Sequence, residues 1–391
     1  MEQEMVVRAS AEINLDHAVA NMKILSRLAH PAGVMAVVKA DGYGHGAVAC
    51  GRAFAEGGAA WLAVATIDEA IELQDAGLKL PIFILGLVEE AREQEALARG
   101  IRIVVSSLAG GRRLAGKARA LKAVCPIHIK LDTGMSRIGF PADDTGITDI
   151  IELVHETDDC LRYEGLMTHF ACSDADDRST TDLQYERFIH VKDALKEADI
   201  VPEFSHVCNS AATLRFPEYH EDLVRVGLSA YGLHRGNLEG LVEGLKPVMT
   251  FSGRVSYVKN LEAGRGIGYG HINVTEEPRR IATVSAGYAD GYKRSLGGVG
   301  SVSIHGRKYP VVGRVCMDAL MVDVGPALYD SEDNGAVKEG DQAVLWGQTR
   351  DDEVRVEDLA LLLDTIPYEL TCGVTKRVPR IYIRDGKEQI D

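Results

Sequence analysis

The stretch GVMAVVKADGYGHG (33–46) sets an apolar run against a lysine and a loop of closely spaced glycines. Five consecutive apolar residues, 34–38, are typical of a strand that is covered on both faces. Lys39 follows directly, at the position where a chain that leaves the core normally has a turn residue. The stretch therefore predicts a core strand that carries a charged side chain at its carboxyl end.

Seven further apolar runs of strand length follow, and they too are nearly continuous rather than alternating. The eight runs are VMAVV (34–38), WLAVA (61–65), IFIL (82–85), IRIVVS (101–106), IHIKL (127–131), YEGLMTH (163–169), FSHVC (204–208) and DLVRVGL (222–228). Helical segments separate most of them, such as TIDEAIELQDAG (66–77), which has the capping-box spacing between Thr66 and Glu69 and ends on Gly77. Eight strands alternating with helices predict an α/β fold with an N-terminal (β/α)8 TIM-type barrel. A doubly wound open sheet is the alternative.

The sequence pattern changes in the glycine-spaced segment RGNLEGLVEG (235–244). Beyond it, β-type runs are linked by short turns, and only VRVEDLALLLDTI (354–366) has a helical pattern. These features predict a C-terminal mostly-β domain. We place the boundary so that residues 1–240 form the barrel and residues 241–391 form the second domain.

The composition is that of an acidic globular protein, with 391 residues, 46% of them hydrophobic, and a formal net charge of −15. Nucleic acid and anionic membranes bind basic surfaces, so we expect neither as a partner. No apolar run approaches the ~18 residues of a spanning helix, and the acidic N-terminus lacks the pattern of a signal peptide. Seven scattered cysteines without CxxC spacing fit reduced, buried thiols. We therefore expect a cytoplasmic protein without a metal site.

In a (β/α)8 barrel the active site lies at the carboxyl ends of the strands. Polar residues and glycines fall on or just after the ends of five of the eight predicted strands. These residues are Lys39, Asp132, Arg137, His169, Asn209, Ser210, Arg225 and Gly227. Because parallel strands end at one rim of a barrel, the pattern predicts that these residues converge on an active site.

Lys39 and Ser210 each have two interpretations on the residues alone. A lysine at a strand end can extend into solvent, or it can form a Schiff base if partial burial lowers its pKa. Ser210 can cap the next helix, or it can bind a phosphate together with the backbone of Gly227. The glycines of 42–46 fit neither a dinucleotide fingerprint nor a P-loop. They predict instead a close approach of backbone to a ligand, with the Tyr43 hydroxyl as a donor.

Six segments resemble the alanine racemases, a bacterial family of enzymes that use pyridoxal 5'-phosphate. The segments are VVKADGYGHG (37–46), KLDTGMSRIG (130–139), HVCNSAAT (206–213), GYADGYKR (287–294), GRVCMDALMVDV (313–324) and TIPYELTCGVTKRVPRIY (365–382). The resemblance covers nearly the whole chain. It implies a barrel and a β domain in a head-to-tail homodimer, whose active sites combine the barrel of one chain with the β domain of the other.

The same resemblance implies roles for individual residues. The residues that would bind the cofactor are Lys39, Tyr43, Arg137, Asn209, Ser210, Arg225, Gly227 and Tyr368. The residues that would take part in catalysis are Lys39, Tyr269, His169, Arg225 and Asp318, and those that would bind the substrate carboxylate are Arg137 and Met317. Tyr269, Met317 and Asp318 would come from the partner chain.

Four more residues match family positions at the edge of the site. Arg294, Arg314 and Asp174 match the corridor through which the substrate enters. Lys130 matches a lysine that is carbamylated in several members of the family. In those members the carbamylated lysine orients the arginine at the position of Arg137. A plain lysine paired with Asp132 is the alternative.

Racemisation removes the α-proton from one face of an amino acid and returns one to the other face. Two acid/base groups on opposite faces, Lys39 and Tyr269, meet this need. A tyrosine is a poor base unless its neighbours stabilise the phenolate, and His169, polarised by Arg225, is the candidate. Arg225 facing the cofactor's pyridine nitrogen does not readily give up a proton, which disfavours transamination.

The sequence thus predicts an alanine racemase that interconverts L-alanine and D-alanine and supplies D-alanine for peptidoglycan. A racemase that prefers serine or another amino acid is the first alternative. Decarboxylases that share barrel and cofactor are a second, although the segment CMDALMVD (316–323) lacks their cysteine arrangement. A non-catalytic protein that binds pyridoxal phosphate is a third, but such proteins resemble the barrel alone.

Overall fold

The computed structural model describes residues 7–234, 238, 240–241, 243–327 and 336–389. In chain order, the elements up to residue 226 are β1 (Ala9–Asn14), α1 (Leu15–Ala29), β2 (Gly33–Val37), α2 (Lys39–Tyr43), α3 (Ala47–Glu56), β3 (Trp61–Val64), α4 (Ile67–Asp75), β4 (Ile82–Ile84), α5 (Glu93–Ala98), β5 (Ile103–Val105), α6 (Leu108–Leu121), β6 (Cys125–Asp132), β7 (Phe140–Pro141), α7 (Asp144–Thr157), β8 (Leu161–Met167), α8 (Ser179–Glu197), β9 (Phe204–His206), α9 (Ser210–Arg215) and β10 (Leu223–Val226).

The later elements are mostly strands. They are β11 (Met249–Leu261), β12 (Gly266–Ile267), β13 (Asn273–Val274), β14 (Arg279–Val284), β15 (Ser301–Ile304), β16 (Arg307–Val312), β17 (Leu320–Pro326), β18 (Gln342–Gln348), β19 (Glu353–Val354), α10 (Val356–Leu362), α11 (Pro367–Cys372), β20 (Arg380–Arg384) and β21 (Lys387–Gln389).

Eight parallel strands close into a barrel, as the apolar runs predicted. The strands pair in the orders β10-β2-β3-β4 and β5-β6-β8-β9. A parallel bridge between Phe83 and Arg102 joins β4 to β5. The backbone N–H of Arg225 donates to the carbonyl of Cys208 at 3.0 Å, which joins β9 to β10. The closed order confirms the (β/α)8 barrel and excludes the open sheet.

The barrel strands are buried on both faces because side chains pack inside the barrel and between strands and helices. Inside, Met35, Trp61 and Phe83 belong to one buried cluster, while alternate residues such as Ala36 and Leu62 pack outward against the helices. The apolar sequence runs therefore reflect two separate cores. None of the helices in the described ranges is long and apolar enough to span a membrane.

The C-terminal strands form a ten-stranded sheet in the order β19-β18-β15-β16-β17-β14-β11-β1-β20-β21. A further pairing of β11 with β18 closes part of this sheet on itself. The first strand of the chain, β1, lies between β11 and β20 in this sheet. The segment 9–14, which the sequence assigned to the barrel, thus belongs structurally to the β domain.

The helical content of the second domain differs from the prediction in one respect. The predicted helix 354–366 is present as the shorter α10, and a second helix, α11, follows it. Helix α11 has only six residues and begins on Pro367, so it is too short to show a helical period. Of the predicted boundary segment, residues 235–237, 239 and 242 lie outside the described residues, and the division at 240 remains a prediction.

Candidate active site

Lys39 leaves the barrel at the end of β2 and enters a left-handed turn. The next four residues, 40–43, all have φ between 51° and 59°. Such a run is rare for residues with a side chain. Backbone hydrogen bonds hold it, since the N–H of Gly42 donates to the carbonyl of Val38 at 2.8 Å. The Asp41 carboxylate also accepts from the N–H of Ala47 at 3.0 Å. The turn therefore fixes the backbone position from which the Lys39 side chain extends.

Glu69 holds this turn from the neighbouring strand end. It forms the capping box with Thr66 at the start of α4, as the spacing predicted. The same carboxylate accepts from the N–H of Ala40 at 2.6 Å and from the N–H of Ala65 at 2.8 Å. One side chain thus connects the end of β3 to the residue that follows Lys39.

The environment of Lys39 favours the neutral amine. Burial lowers the pKa of Lys39, and the positive charge of Arg137 lowers it further, while Glu69 acts in the opposite direction. A neutral amine is the form that attacks a carbonyl. Lys39 is part-buried rather than extended into solvent, in agreement with the Schiff-base interpretation.

Backbone and hydroxyl groups form a pocket beside Lys39. A Cβ atom at Gly227 would lie 2.6 Å from the Tyr43 hydroxyl, so the close approach requires glycine. The Ser210 hydroxyl accepts from the N–H of Gly227 at 2.9 Å. The Tyr43 ring meets the ring of Tyr368 at 6.1 Å between centroids. Burial raises the pKa of Tyr43, which keeps its hydroxyl protonated as a donor. The sequence set of Tyr43, Ser210, Gly227 and Tyr368 therefore comes together.

Asn209, not Ser210, caps helix α9. Its side-chain oxygen accepts from the N–H of Ala212 at 3.0 Å and from the Ser173 hydroxyl at 2.8 Å. Its side-chain nitrogen donates to the carbonyl of Phe170 at 3.3 Å. The interpretation of Ser210 as a helix cap is therefore wrong. The Asn209 side chain is therefore engaged in hydrogen bonds to the protein itself. As the cap, Asn209 places Ser210 at the first position of α9.

Arg225 is an almost fully buried charged group at the rim, with 2% of its surface exposed. One terminal nitrogen donates to Nδ1 of His206 at 2.9 Å and the other to Nδ1 of His169 at 3.2 Å. Both also donate to backbone carbonyls. Its Nε is buried without a hydrogen-bond partner. Burial lowers the pKa of Arg225 to about 10, so the guanidinium stays charged at neutral pH.

The unpartnered Nε of Arg225 fits pyridoxal 5'-phosphate. A buried donor without an acceptor is costly, and the pyridine nitrogen of this cofactor is an acceptor. The pocket of Tyr43, Ser210 and Gly227 offers hydroxyl groups to a phosphate on the same rim. In the described part of the chain, no group of three or more His, Cys, Asp or Glu side chains could hold a metal ion.

Arg137 and Lys130 both lie near Asp132 without pairing with it. The Asp132 carboxylate accepts from the backbone N–H groups of Gly134 and Ser136 at 3.1 and 2.9 Å. Burial lowers the pKa of Lys130 to about 7, and Arg225 and Arg137 lower it as well. Among the described residues, Lys130 makes no ion pair, so its pairing with Asp132 is not observed. At neutral pH a substantial share of the Lys130 amine is therefore unprotonated, and the two nearby arginines favour a negative charge at this position.

The remaining predicted residues lie on the surface of the β domain. Tyr269 follows β12 and is 70% exposed, and Met317 is 52% exposed. Asp318 pairs with Arg377 at 2.7 Å. No hydrogen bond or ion pair of the described residues joins these three to the barrel rim. Within one chain, the structure therefore brings together the predicted site residues of the barrel. The three predicted residues of the β domain lie apart from them.

The predicted corridor residues divide between the two domains. The guanidinium of Arg314 lies beside Gly270, next to Tyr269, and the backbone of Arg314 packs against the turn that contains Arg294. Asp174 lies in the loop that follows β8, on the barrel. The two arginines thus share a surface with Tyr269.

The sequence interpretation missed His206, His128 and Glu164, which line the barrel interior below Arg225. The nitrogen Nε2 of His206 lies 2.8 Å from Nδ1 of His128, and Nε2 of His128 lies 3.2 Å from the Glu164 carboxylate. Each of the three lies in a strand that also carries other polar residues, such as Lys130 in β6 and Arg162 in β8, so the sequence alone offered no clear signal. The role of Glu69 in holding the lysine turn was also missed, since only its capping function has a local sequence pattern.

Comparison with known proteins follows the same division into two parts. Residues 13–235 match the family model for the alanine racemase N-terminal domain, and residues 248–382 match the model for the C-terminal domain. Alanine racemase of Clostridium tetani is 40% identical over 383 residues, covering 96% of this chain and 95% of the relative. Alanine racemase of Desulforamulus reducens is 41% identical over 377 residues, covering 95% and 98%.

Solved structures agree in fold. Alanine racemase from Streptomyces coelicolor aligns with a TM-score of 0.90 at 34% identity, covering 97% of this chain and 98% of that one. Alanine racemase of Clostridium difficile in complex with cycloserine aligns with a TM-score of 0.88 at 32% identity, covering 99% and 98%. The chain therefore belongs to the alanine racemase family and is an amino-acid racemase, an isomerase.

Proposed function

We propose that the protein interconverts L-alanine and D-alanine with pyridoxal 5'-phosphate, in a homodimer whose active sites are shared between two chains. The main observation that supports this cofactor is the buried, unpartnered Nε of Arg225 on the rim that holds Lys39. Relatives named alanine racemase across nearly the whole chain support the substrate. A role in supplying D-alanine for peptidoglycan, and a cytoplasmic location, are parts of the same proposal.

The barrel residues would hold the cofactor in defined ways. Lys39 would bind it through the ε-amine, and Tyr43, Ser210 and the backbone at Gly227 would bind its phosphate. Arg225 would donate from Nε to the pyridine nitrogen and keep its own proton, because a guanidinium is a very weak acid. The bound cofactor would supply an electron sink that makes the α-proton of the amino acid removable.

Lys39 and the partner's copy of Tyr269 would exchange protons with the two faces of the substrate. The Lys39 Nζ takes or returns the α-proton on one face, and the Tyr269 hydroxyl oxygen does so on the other. Arg225 can only donate hydrogen bonds, so Nδ1 of His169 must accept from it. Burial and Arg225 lower the pKa of His169, so the ring is neutral and its proton lies on Nε2. That N–H is suited to stabilise a tyrosine phenolate.

The surface around Tyr269 supports a second copy as the partner. Tyr269, Ile272 and Val274 are all large, exposed side chains within six residues. The loop at Gly298 packs against Ile272, and the adjacent Val299 is 54% exposed. An apolar surface of this kind on an acidic protein is typical of a protein interface. Docked on the barrel rim of a second chain, it would bring Tyr269 and Met317 to Lys39.

The substrate carboxylate would meet groups from both chains. Arg137 is exposed at the barrel rim and has no ion pair within the described residues. In the same part of the chain, the N–H of Met317 donates no hydrogen bond, while its carbonyl accepts from Ala289 at 3.0 Å. A free guanidinium and a free backbone N–H are suitable partners for a carboxylate.

Reduction with borohydride tests the cofactor and its attachment site. The purified, cofactor-loaded protein should become labelled on Lys39, as mass analysis of its peptides would show. Labelling of a different lysine, or of none, contradicts the proposal.

Turnover of alanine, serine and lysine tests the substrate. A greater kcat/KM for serine or lysine would refute the assignment to alanine.

Exchange of Tyr269 for phenylalanine tests the second proton-transfer group. Tyr269→Phe should retain the Lys39 label and cofactor absorbance but lose racemisation by about 10²- to 10⁴-fold, the usual contribution of an acid/base group. Tyr257→Phe is the matched control, since Tyr257 is a similarly exposed tyrosine of the β domain. Unchanged activity in Tyr269→Phe would remove Tyr269 from the mechanism.

A further inference from the structure

Three ionisable side chains occupy the apolar interior of the barrel. His206 and His128 are fully buried, and Glu164 is 2% exposed. The ring of Phe83 lies 4.6 Å from that of His128, and the ring of Trp61 lies 5.6 Å from it. Burying ionisable side chains in an apolar interior is costly unless their polar atoms have partners. We refer to His206, His128 and Glu164 as the column, and we infer that the cost of burying them is offset by a specific role.

The backbone is adapted to this column. In the pairing of β6 with β8, Ile127 opposes Tyr163 and His128 opposes Gly165, so that Glu164 is the extra residue of a β-bulge. Bulges of this kind redirect side chains. A Cβ atom at Gly165 would lie 2.4 Å from Nδ1 of His128, so glycine leaves space for the imidazole. Two local features thus accommodate one histidine–glutamate contact.

The hydrogen bonds of the column have only one consistent direction. Arg225 has no acceptor, so Nδ1 of His206 must accept from it. Burial and then Arg225 lower the pKa of His206, and the neutral ring carries its proton on Nε2. That N–H donates to Nδ1 of His128. Burial lowers the pKa of His128 as well, so its single proton lies on Nε2 and is donated to the Glu164 carboxylate.

Glu164 ends the column near the amino ends of the strands, where two arginines hold it ionised. Its carboxylate lies 3.2 Å from Nε of Arg102 and 2.8 Å from a terminal nitrogen of Arg162. Burial alone would raise the pKa of Glu164, but the hydrogen bonds from His128 and Arg102 outweigh burial, and the pKa is lowered. An ionised carboxylate can only accept, so Glu164 enforces from one end of the column the same hydrogen-bond direction that Arg225 requires at the other end.

We propose that His206, His128 and Glu164 are positioning residues of the racemase, which fix the direction of hydrogen bonding so that Arg225 always faces an acceptor. The inference rests on the proposed function, in which Arg225 faces the cofactor's pyridine nitrogen. With His206 in this tautomer, the Arg225 guanidinium is anchored on one side, and its Nε would be free to donate to the ring nitrogen of the bound cofactor. Glu164 thus acts on the cofactor through three intervening side chains.

Exchange of Glu164 for glutamine should weaken this control. An amide can donate as well as accept, so Glu164→Gln permits the reversed direction, in which His206 presents an N–H to Arg225. A repulsive contact would then loosen Arg225. We expect the cofactor affinity to fall roughly tenfold, about the worth of one hydrogen bond. The rate of transamination relative to racemisation should rise by a similar factor.

Glu93→Gln is the matched control. Glu93 is also a buried carboxylate with two cationic partners, Arg113 and Lys117, each at 2.7 Å. It lies on helix α5, away from the column. Both variants should lose thermal stability, but only Glu164→Gln should change cofactor affinity, measured by equilibrium dialysis, and the transamination ratio. Equal effects of the two variants on these quantities would overturn the proposal.

The tautomers of the wild-type protein test the proposal without any variant that must fold. Two-bond ¹H–¹⁵N correlations in protein labelled with ¹⁵N-histidine report which ring nitrogen carries the proton. We expect Nε2–H at both His206 and His128, with and without cofactor, and a population of Nδ1–H at His206 in Glu164→Gln. A proton on Nδ1 of His206 in the wild type would overturn the inference. Failure of the proposed function would instead appear as absent labelling of Lys39.

Discussion

Lys39 is the residue on which the site depends, and two neighbours of opposite charge adjust its proton affinity. Burial and Arg137 lower the pKa of Lys39, whereas Glu69 raises it. The amine is therefore available as a nucleophile below the pH at which an ordinary lysine would lose its proton. Arg137 makes no ion pair among the described residues, whereas Glu69 also caps α4 and holds the lysine turn.

Arg137→Gln should raise the pKa of Lys39, since it removes a nearby positive charge. The rate at which cofactor-free protein captures pyridoxal phosphate rises with pH as Lys39 loses its proton. The midpoint of that rise should therefore move to higher pH in the variant. Arg27→Gln, an exposed arginine on α1, serves as the control. A midpoint that stays in place, or moves to lower pH, would show that Arg137 does not act on Lys39.

The residues of the site differ in how far sequence can reveal them. Lys39 is evident because a charge interrupts a buried run, and the resemblance identifies Arg225 and Tyr269. His128 and Glu164 are not evident, because a bulge in β8 decides that Glu164 faces inward. Ser210 was open to a capping role because adjacent residues, Asn209 and Ser210, are both good caps. Only the backbone geometry shows that Asn209 is used.

At the scale of elements, a strand end and a helix start are joined through one side chain. Glu69 caps α4 and binds the N–H of Ala40, which continues from β2. Strand and helix positions were predictable from sequence because burial on both faces gives continuous apolar runs. Short elements were not, since α11 spans less than two turns and the left-handed turn at 40–43 has no period at all.

Glu69→Gln should destabilise the protein and loosen the lysine turn. A glutamine keeps one acceptor oxygen, while the carboxylate now accepts from three backbone N–H groups with both oxygens. We expect a loss of about 1–3 kcal/mol in the free energy of unfolding, the usual worth of hydrogen bonds to a charged group. Urea denaturation measures it.

Glu72→Gln on the exposed face of the same helix is the control, and it should change stability by less than about 0.5 kcal/mol. Because Glu69 raises the pKa of Lys39, Glu69→Gln should also move the capture midpoint to lower pH, opposite to Arg137→Gln. Equal stability of the two glutamate variants would contradict the role assigned to Glu69.

At the scale of the molecule, each chain holds two incomplete halves of a site. The barrel rim presents Lys39 and Arg225, while Tyr269 stands 70% exposed on the β domain of the same chain. Strand β1 ties the start of the chain into that β domain, and Arg380 of β20 donates to the carbonyl of Gly44 at 3.0 Å. The two domains of one chain are therefore fastened together beside the lysine turn. This arrangement could not be predicted from local patterns, because β1 pairs with strands more than 200 residues away in sequence.

Hybrid dimers test the central claim, that Lys39 of one chain works with Tyr269 of another. Lys39→Ala and Tyr269→Phe chains, each with a different affinity tag, would be co-expressed and purified through both tags. In such a hybrid, one site combines the intact Lys39 with the intact Tyr269, and the other site lacks both. We predict about half the alanine racemisation of wild type per dimer, although either variant alone is nearly inactive. Hybrids as inactive as the parent variants, or failure to isolate any hybrid, would contradict the shared site.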